Sequence, residues 1–248
     1  HKHTGRFYYR THLIIGIENS AFSWMALYIH ALYCTMADTW RPYVNPSDRT
    51  EKNSIPRWLT GFFLISEVDL QEPNFRQTVI LMISHDEEGA FGLVVNRQLD
   101  VTLGQVVTDF EKTPAGKLPI YQGGPMEPQY LFTIHSGLPG EIRSEQATSP
   151  LEHVIFEPAF PLLENYLQEG WSLLPEDKRP PINLYAGYAG WAPTQLESEI
   201  ENNTWVVRPA SAKHIFSKSP EEGWRSALGE LGGIHKIIAE TGFKPSMN

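Results

Sequence analysis

The sequence predicts an α+β fold, and three observations carry that prediction. The chain has 248 residues, of which 41% are hydrophobic and 20% charged. That is the balance of a globular chain with enough apolar side chain to build a core. Beyond residue 57 the first apolar runs are short, continuous and bounded by turn residues, as buried strands are. Stretches with apolar residues every three to four positions, the helical spacing, come later and are interleaved with further strands. Strands first and helices mixed in afterwards is the order of an α+β domain.

Residues 59–66 (LTGFFLIS), 78–84 (TVILMIS) and 89–96 (GAFGLVVN) read as strands. A polar connection, 67–77, separates the first two. The acidic run His85-Asp86-Glu87-Glu88-Gly89 suits a hairpin between the second and third. Thr102 is a candidate N-cap for a helix over 102–111, with Leu103, Val106, Val107 and Phe110 on one face. A strand entering Gly123-Gly124-Pro125, where two glycines and a proline suit a tight turn, precedes strands at 130–135 and 154–156. Residues 159–169 read as an amphipathic helix stopped by Gly170. Strands follow at 182–188 and 204–208. Between them, Gly187-Tyr188-Ala189-Gly190-Trp191 reads as a Gly-rich turn feeding a helix that a Thr194–Glu197 capping box opens. Ser219-Pro220-Glu221-Glu222 opens a last helix with Trp224, Ala227, Leu228 and Leu231 as its buried stripe. Gly232-Gly233 ends it, and 234–248 is expected to fray.

Residues 1–57 differ in character and are expected to be an N-terminal extension and linker, with 58–248 as the single domain. An apolar run over 21–36 follows a basic start, yet Glu18, Asn19 and His30 interrupt it. Residues 1–35 read as upstream translated sequence with Met36 as the natural start; the alternative is a targeting segment. Residues 37–57 are polar, with three prolines, and read as an arm.

Charge and motif content exclude several chemistries. Residues 1–57 hold seven Lys/Arg against four acids, and 58–248 hold 13 against 25, a balance of −12. Such a domain repels nucleic-acid phosphate, so no direct nucleic-acid partner is expected, and no membrane partner for 58–248. One cysteine, Cys34, allows neither an intrachain disulfide nor a thiolate zinc site and fits a reducing compartment such as the cytoplasm. Gly187-Tyr-Ala-Gly lacks the Ser of a nucleophile elbow. No phosphate-loop, dinucleotide or His-Glu-x-x-His spacing occurs. No metal, no cofactor and no catalytic residue is expected.

The motifs 61–66 (GFFLIS), 73–82 (PNFRQTVILM), His85, 89–97 (GAFGLVVNR), Gly123-Gly-Pro, 131–135 (LFTIH) and 187–197 (GYAGWAPTQLE) resemble, in order, those of the YqgE/AlgH family of bacterial proteins. The resemblance covers about residues 58–232. It implies a bent, mixed or antiparallel sheet folded toward a pseudo-barrel with flanking helices, in a cytoplasmic bacterial protein. It supplies no accepted activity. The family's transcriptional-regulator label comes through one member linked to alginate production, and the −12 balance gives it no direct DNA-binding support here.

The expected function is therefore a non-enzymatic binding or regulatory interaction domain for a protein partner or small ligand. Its candidate surface comprises Gly187, Tyr188, Gly190, Trp191, Gln195, Glu197, Trp205, Asn96, Arg97, His85, Gly123 and Gly124. Trp191 and Trp205 beside glycines could wall a shallow groove. Arg97 could clamp an anion, or pair with one of the domain's acids, which is favoured. The competing reading is a hydrolase or isomerase using His85 or His135 with Glu197; it requires those side chains within hydrogen-bond reach.

Overall fold

The computed structural model describes residues 55–139 and 143–245. The expectations for residues 1–54 and for 246–248 lie outside the described residues. In chain order the strands are β1 (Phe62–Ser66), β2 (Val79–Asp86), β3 (Gly89–Val94), β4 (Gln98–Thr102), β5 (Pro119–Gln122), β6 (Met126–His135), β7 (Thr148–Leu151), β8 (Val154–Glu157), β9 (Ile182–Trp191) and β10 (Trp205–Pro209). The α-helices are α1 (Leu103–Val106), α2 (Pro161–Asn165), α3 (Gln195–Glu201), α4 (Ala212–Ile215), α5 (Gly223–Gly229) and α6 (Gly233–Thr241).

The strands form one curled sheet in the order β10-β1-β2-β3-β9-β6-β8-β7, with β4 and β5 branching from β9. Every pairing is antiparallel except β5 with β9. The expected bent α+β architecture is the one observed. β1 to β3 are covered on both faces, which is why their sequences are continuous apolar runs rather than alternating ones. Phe63, Ile65, Leu81 and Leu93 face a core that Trp224, Ala227 and Leu228 of α5 and Ile238 of α6 cover. Leu64, Ile80, Met82 and Val94 face a second core with Trp191, Leu196 and Trp205. A third core gathers Leu103, Phe110, Phe160, Leu163, Trp171 and Leu184 around the branch.

Several elements differ from the sequence reading, each for a physical reason. The helix expected over 102–111 breaks into α1 and a 3-10 turn, Thr108–Phe110, because Val107 is extended (φ −122°). β4 was not expected: its burial alternates and its apolar content is low. The 159–169 helix is α2 continued by a π turn, Tyr166–Gly170, with Leu163 and Leu167 buried. Residues 233–241 form α6 instead of fraying, because Ile238 and Ala239 bury against α5's core.

The largest difference concerns Gly187–Trp191, which is no turn but the C-terminal half of β9, the central strand. β9 changes partner there. Leu184–Ala186 pair with β5, while Ala189–Trp191 pair with β3. The sheet forks at Gly187, whose φ of +72° is a left-handed conformation that glycine adopts without strain. A Cβ on Gly187 would stand 2.7 Å from the carbonyl oxygens of both Gly124 and Met126. Cβ atoms on Gly123 and Gly124 would penetrate the Gly187 and Tyr188 backbone. Gly123-Gly124 therefore serves a close crossing of two chains: Gly123 donates its amide to Ala186 and accepts from Val94.

Candidate functional site

The sequence-derived surface residues fall into four places. At the β1–β3 end, Asn96 accepts the Val79 amide at 2.7 Å and donates to the Gln77 carbonyl at 3.0 Å. Among the described residues Arg97 pairs with no acid. Its guanidinium donates to the carbonyls of Asn74 (2.8 Å), Pro73 (2.9 Å) and Arg76 (2.8 Å), pinning the 72–77 loop. Burial draws its pKa below the usual value, against the opposing effect of Glu72. Two residues that looked available for a ligand are thus occupied by backbone, which needed acceptors and donors where β2 begins.

At the other face of the same sheet lies a polar tie around α3. Thr194 is left-handed (φ 66°) and makes no side-chain cap, so the expected capping box does not form. Gln195 Oε1 instead accepts the Ala192 amide at 3.1 Å. Glu199 is the hub: its Oε2 accepts the indole N–H of Trp191 at 2.9 Å and of Trp205 at 2.7 Å, and its Oε1 accepts from Gln195 at 2.9 Å. The two indoles meet edge-on at 6.3 Å and are 7% and 5% exposed, so they form core rather than the walls of a groove. Glu199→Ala leaves two indole donors without an acceptor and should cost about 2 kcal/mol. Chemical denaturation measures that loss, with Glu199→Gln, which keeps an acceptor oxygen, losing less.

Glu197, freed from capping, reaches His85. His85 Nε2 and Glu197 Oε1 are 3.2 Å apart, although 112 residues separate them in sequence. His85 Nδ1 accepts the Leu59 amide at 3.2 Å. An acceptor at Nδ1 places the proton on Nε2, where it is donated to Glu197. Burial lowers the His85 pKa, partly offset by Glu197. Both ring nitrogens are therefore occupied, and the position at which a catalytic base would take a nucleophile's proton holds a backbone amide. His135, on β6, is fully buried, accepts the Gly137 amide through Nδ1 at 3.1 Å and has no hydrogen bond from Nε2. Burial, and secondarily Arg143, push its pKa down to about 4. The structure brings His85 to Glu197 but gives His135 no contact with that carboxylate among the described residues.

The fourth place is the open end of the largest core. Phe91 of β3 stacks on Tyr188 of β9 at 4.8 Å and meets Phe132 and Phe156 edge-on at 5.7 and 5.6 Å. Phe91, Tyr188 and Tyr130 are each half-buried against that core. Gly190 faces Phe91 across the ladder. A Cβ on it would sit 3.0 Å from Met126 Sδ and 3.1 Å from Tyr188 Cε2, so its missing side chain is the notch into which both fold. Met126 remains 43% exposed. Of these residues the sequence signalled Tyr188 and Gly190. Phe91 of β3 and Met126 and Tyr130 of β6 give no joint signal, because they meet only when the two strands flank β9; Pro125 and Pro128 near Met126 are the one local hint of an exposed position.

An AlgH-like family model matches residues 63–236. The chain belongs to the AlgH-like family. A UPF0301 protein of Hahella chejuensis is 34% identical over 187 residues, covering 74% of this chain and 95% of its own. A UPF0301 protein of Streptomyces coelicolor is 32% identical, covering 77% and 95%. The solution structure of the AlgH protein from Pseudomonas aeruginosa is 30% identical with a TM-score of 0.58, covering 79% of this chain and 100% of that one. The crystal structure of a Corynebacterium diphtheriae protein (24% identity, TM-score 0.58) shares the fold. No specific activity comes with the family. Among the described residues of this AlgH-like chain, no helix is long and apolar enough to cross a membrane. Nor do any three His, Cys, Asp or Glu side chains group as metal ligands do.

Proposed function

We propose that this AlgH-like chain is a non-enzymatic interaction domain whose working surface is the aromatic mouth of Phe91, Tyr130, Tyr188 and Met126. The ligand is an apolar side chain presented by a protein partner. One observation carries the reading: rings stacked to the edge of the core end in a half-exposed methionine over a glycine notch. Aromatic residues and methionine are enriched at the cores of protein interfaces: the rings offer large apolar area at little cost in side-chain freedom, and the flexible thioether adapts to the partner's surface. The other candidate residues support it by default, because Asn96, Arg97, Trp191, Trp205 and His85 are committed to internal bonds. A regulatory role for a bacterial, cytoplasmic protein of this kind runs through another protein, not DNA, given the −12 balance of residues 58–248.

The test is site-specific photocrosslinking from position 126 in the native host, paired with capture by the Met126→Glu variant. A discrete crosslinked protein, whose capture falls at least tenfold with Met126→Glu at unchanged thermal stability, is the expected result. Equal capture by the variant and the parent would sink the assignment.

A further inference from the structure

A cleft of about 1010 Å³ opens between the α1 region and the segment 171–183. We propose that it binds a monocarboxylate with a flat apolar body. Its charge pattern is unusual for so acidic a chain. Lys112, Lys117 and Arg179 line it, and none of them is ion-paired among the described residues. Three cations with no carboxylate partner among the described residues gather in one concavity of a protein of net charge −9, a seat for an anion from outside.

Arg179 is the preorganised member. Its Nε donates to the Leu174 carbonyl at 3.0 Å and its Nη2 to the Ser172 carbonyl at 3.3 Å. Its guanidinium lies 4.8 Å over the Trp171 ring. Trp171 is itself fixed, with its indole N–H on the Pro180 carbonyl at 2.9 Å. A guanidinium has five N–H groups, so Nη1 keeps its donors in a fixed plane that fits a carboxylate. Little side-chain freedom is lost when that anion arrives. The opposite wall is also rigid. A Cβ on Gly116 would collide with the Phe110 carbonyl oxygen and one on Gly104 would press on the Glu111 backbone at 3.1 Å, so these glycines let the short helical turns close tightly.

Charge count chooses the anion. Glu111 and Glu176 also line the cleft, so three cations face two carboxylates, a balance of +1. That suits a single negative charge; a phosphate dianion would meet the two resident carboxylates. Leu118, Pro180, Ile182 and Phe216 supply the apolar part of the lining. The volume is that of a small-molecule site.

The experiment is chemical-shift mapping of the full chain with three probes: 2-naphthoate, the amine analogue 2-naphthylmethylamine, and acetate. Naphthoate should saturate shifts at the amides of Gly104, Lys117 and Asn183, with the amine at least tenfold weaker and acetate weaker than naphthoate. Lys112→Glu/Lys117→Glu, both at exposed positions, should weaken naphthoate at least tenfold while leaving the rest of the spectrum in place. The proposal is overturned if acid and amine bind equally, if the double variant binds naphthoate as the parent does, or if the shifts map to Phe91 and Tyr188. That last outcome would move small-ligand binding to the aromatic mouth and leave the partner-capture test above unaffected.

Discussion

Replacing Gly124 with alanine is expected to abolish folding, or to cost more than about 4 kcal/mol if folded protein is recovered. The added Cβ would overlap the carbonyl carbon and oxygen of Tyr188 and the amide of Ala189. These are backbone atoms of the central strand, and no rotamer change can clear them. Relief requires either that β9 move away from the Gly123–Gly124 crossing, which breaks the Gly123-to-Ala186 bond, or that the crossing move, which breaks the Val94-to-Gly123 bond as well. Gly137 is the control. It also has a positive φ, +108°, but a Cβ there meets nothing within 4 Å. Gly137→Ala should therefore cost only backbone strain, about 1–2 kcal/mol. Urea titration of both variants decides the matter: similar losses would mean that conformation, not the crossing, makes glycine necessary at 124.

The second expectation concerns acid. His135 has a folded-state pKa pushed down to about 4, against 6.5 in the unfolded chain. Between those values the unfolded state takes up a proton that the folded state does not. Stability from this group is complete above pH 6.5 and falls as pH drops toward 4. At about 1.36 kcal/mol per unit, the loss from pH 7 to pH 4 is about 3 kcal/mol. His135→Asn keeps an oxygen acceptor for the Gly137 amide but does not titrate. It should remove about 3 kcal/mol from the difference in unfolding free energy between pH 7 and pH 4. The remaining dependence includes His85 and His214, whose pKa values burial also lowers. A variant with the parent's full pH dependence would show that His135 titrates normally in the folded state.

Legibility in the sequence followed burial. β1, β2 and β3 were readable because strands covered on both faces are apolar at consecutive positions, so LTGFFLIS and TVILMIS stand out without any partner being known. β4 was not, because its burial alternates weakly and it pairs only with β5. The far half of β9 was misread for the opposite reason. Gly187 and Gly190 look like turn residues locally, and the demand for glycine comes from Gly124, Met126 and Tyr188, contacts that exist only once the chain is folded. The candidate residues divide in the same way. Arg97 and Asn96 were recognisable as special, but their partners are main-chain groups, which carry no sequence signal. Glu199 lies four residues after Gln195 on one helix face and between two tryptophans, and that spacing is the sequence's one signal of its role as hub. His85 with Glu197 could be named as a pair, whereas the amide on its other nitrogen could not.

The change of partner along β9 has a consequence for how the molecule opens. One strand carries the ladders of both halves of the sheet, with β3 and β5 on one edge and β6 on the other. Neither half can detach without exposing the shared strand's amides, so the two halves melt as one cooperative unit. Protons on the amides of Leu184 to Trp191 would then exchange with solvent only through global unfolding, and α6, at the edge of that unit, would exchange long before them.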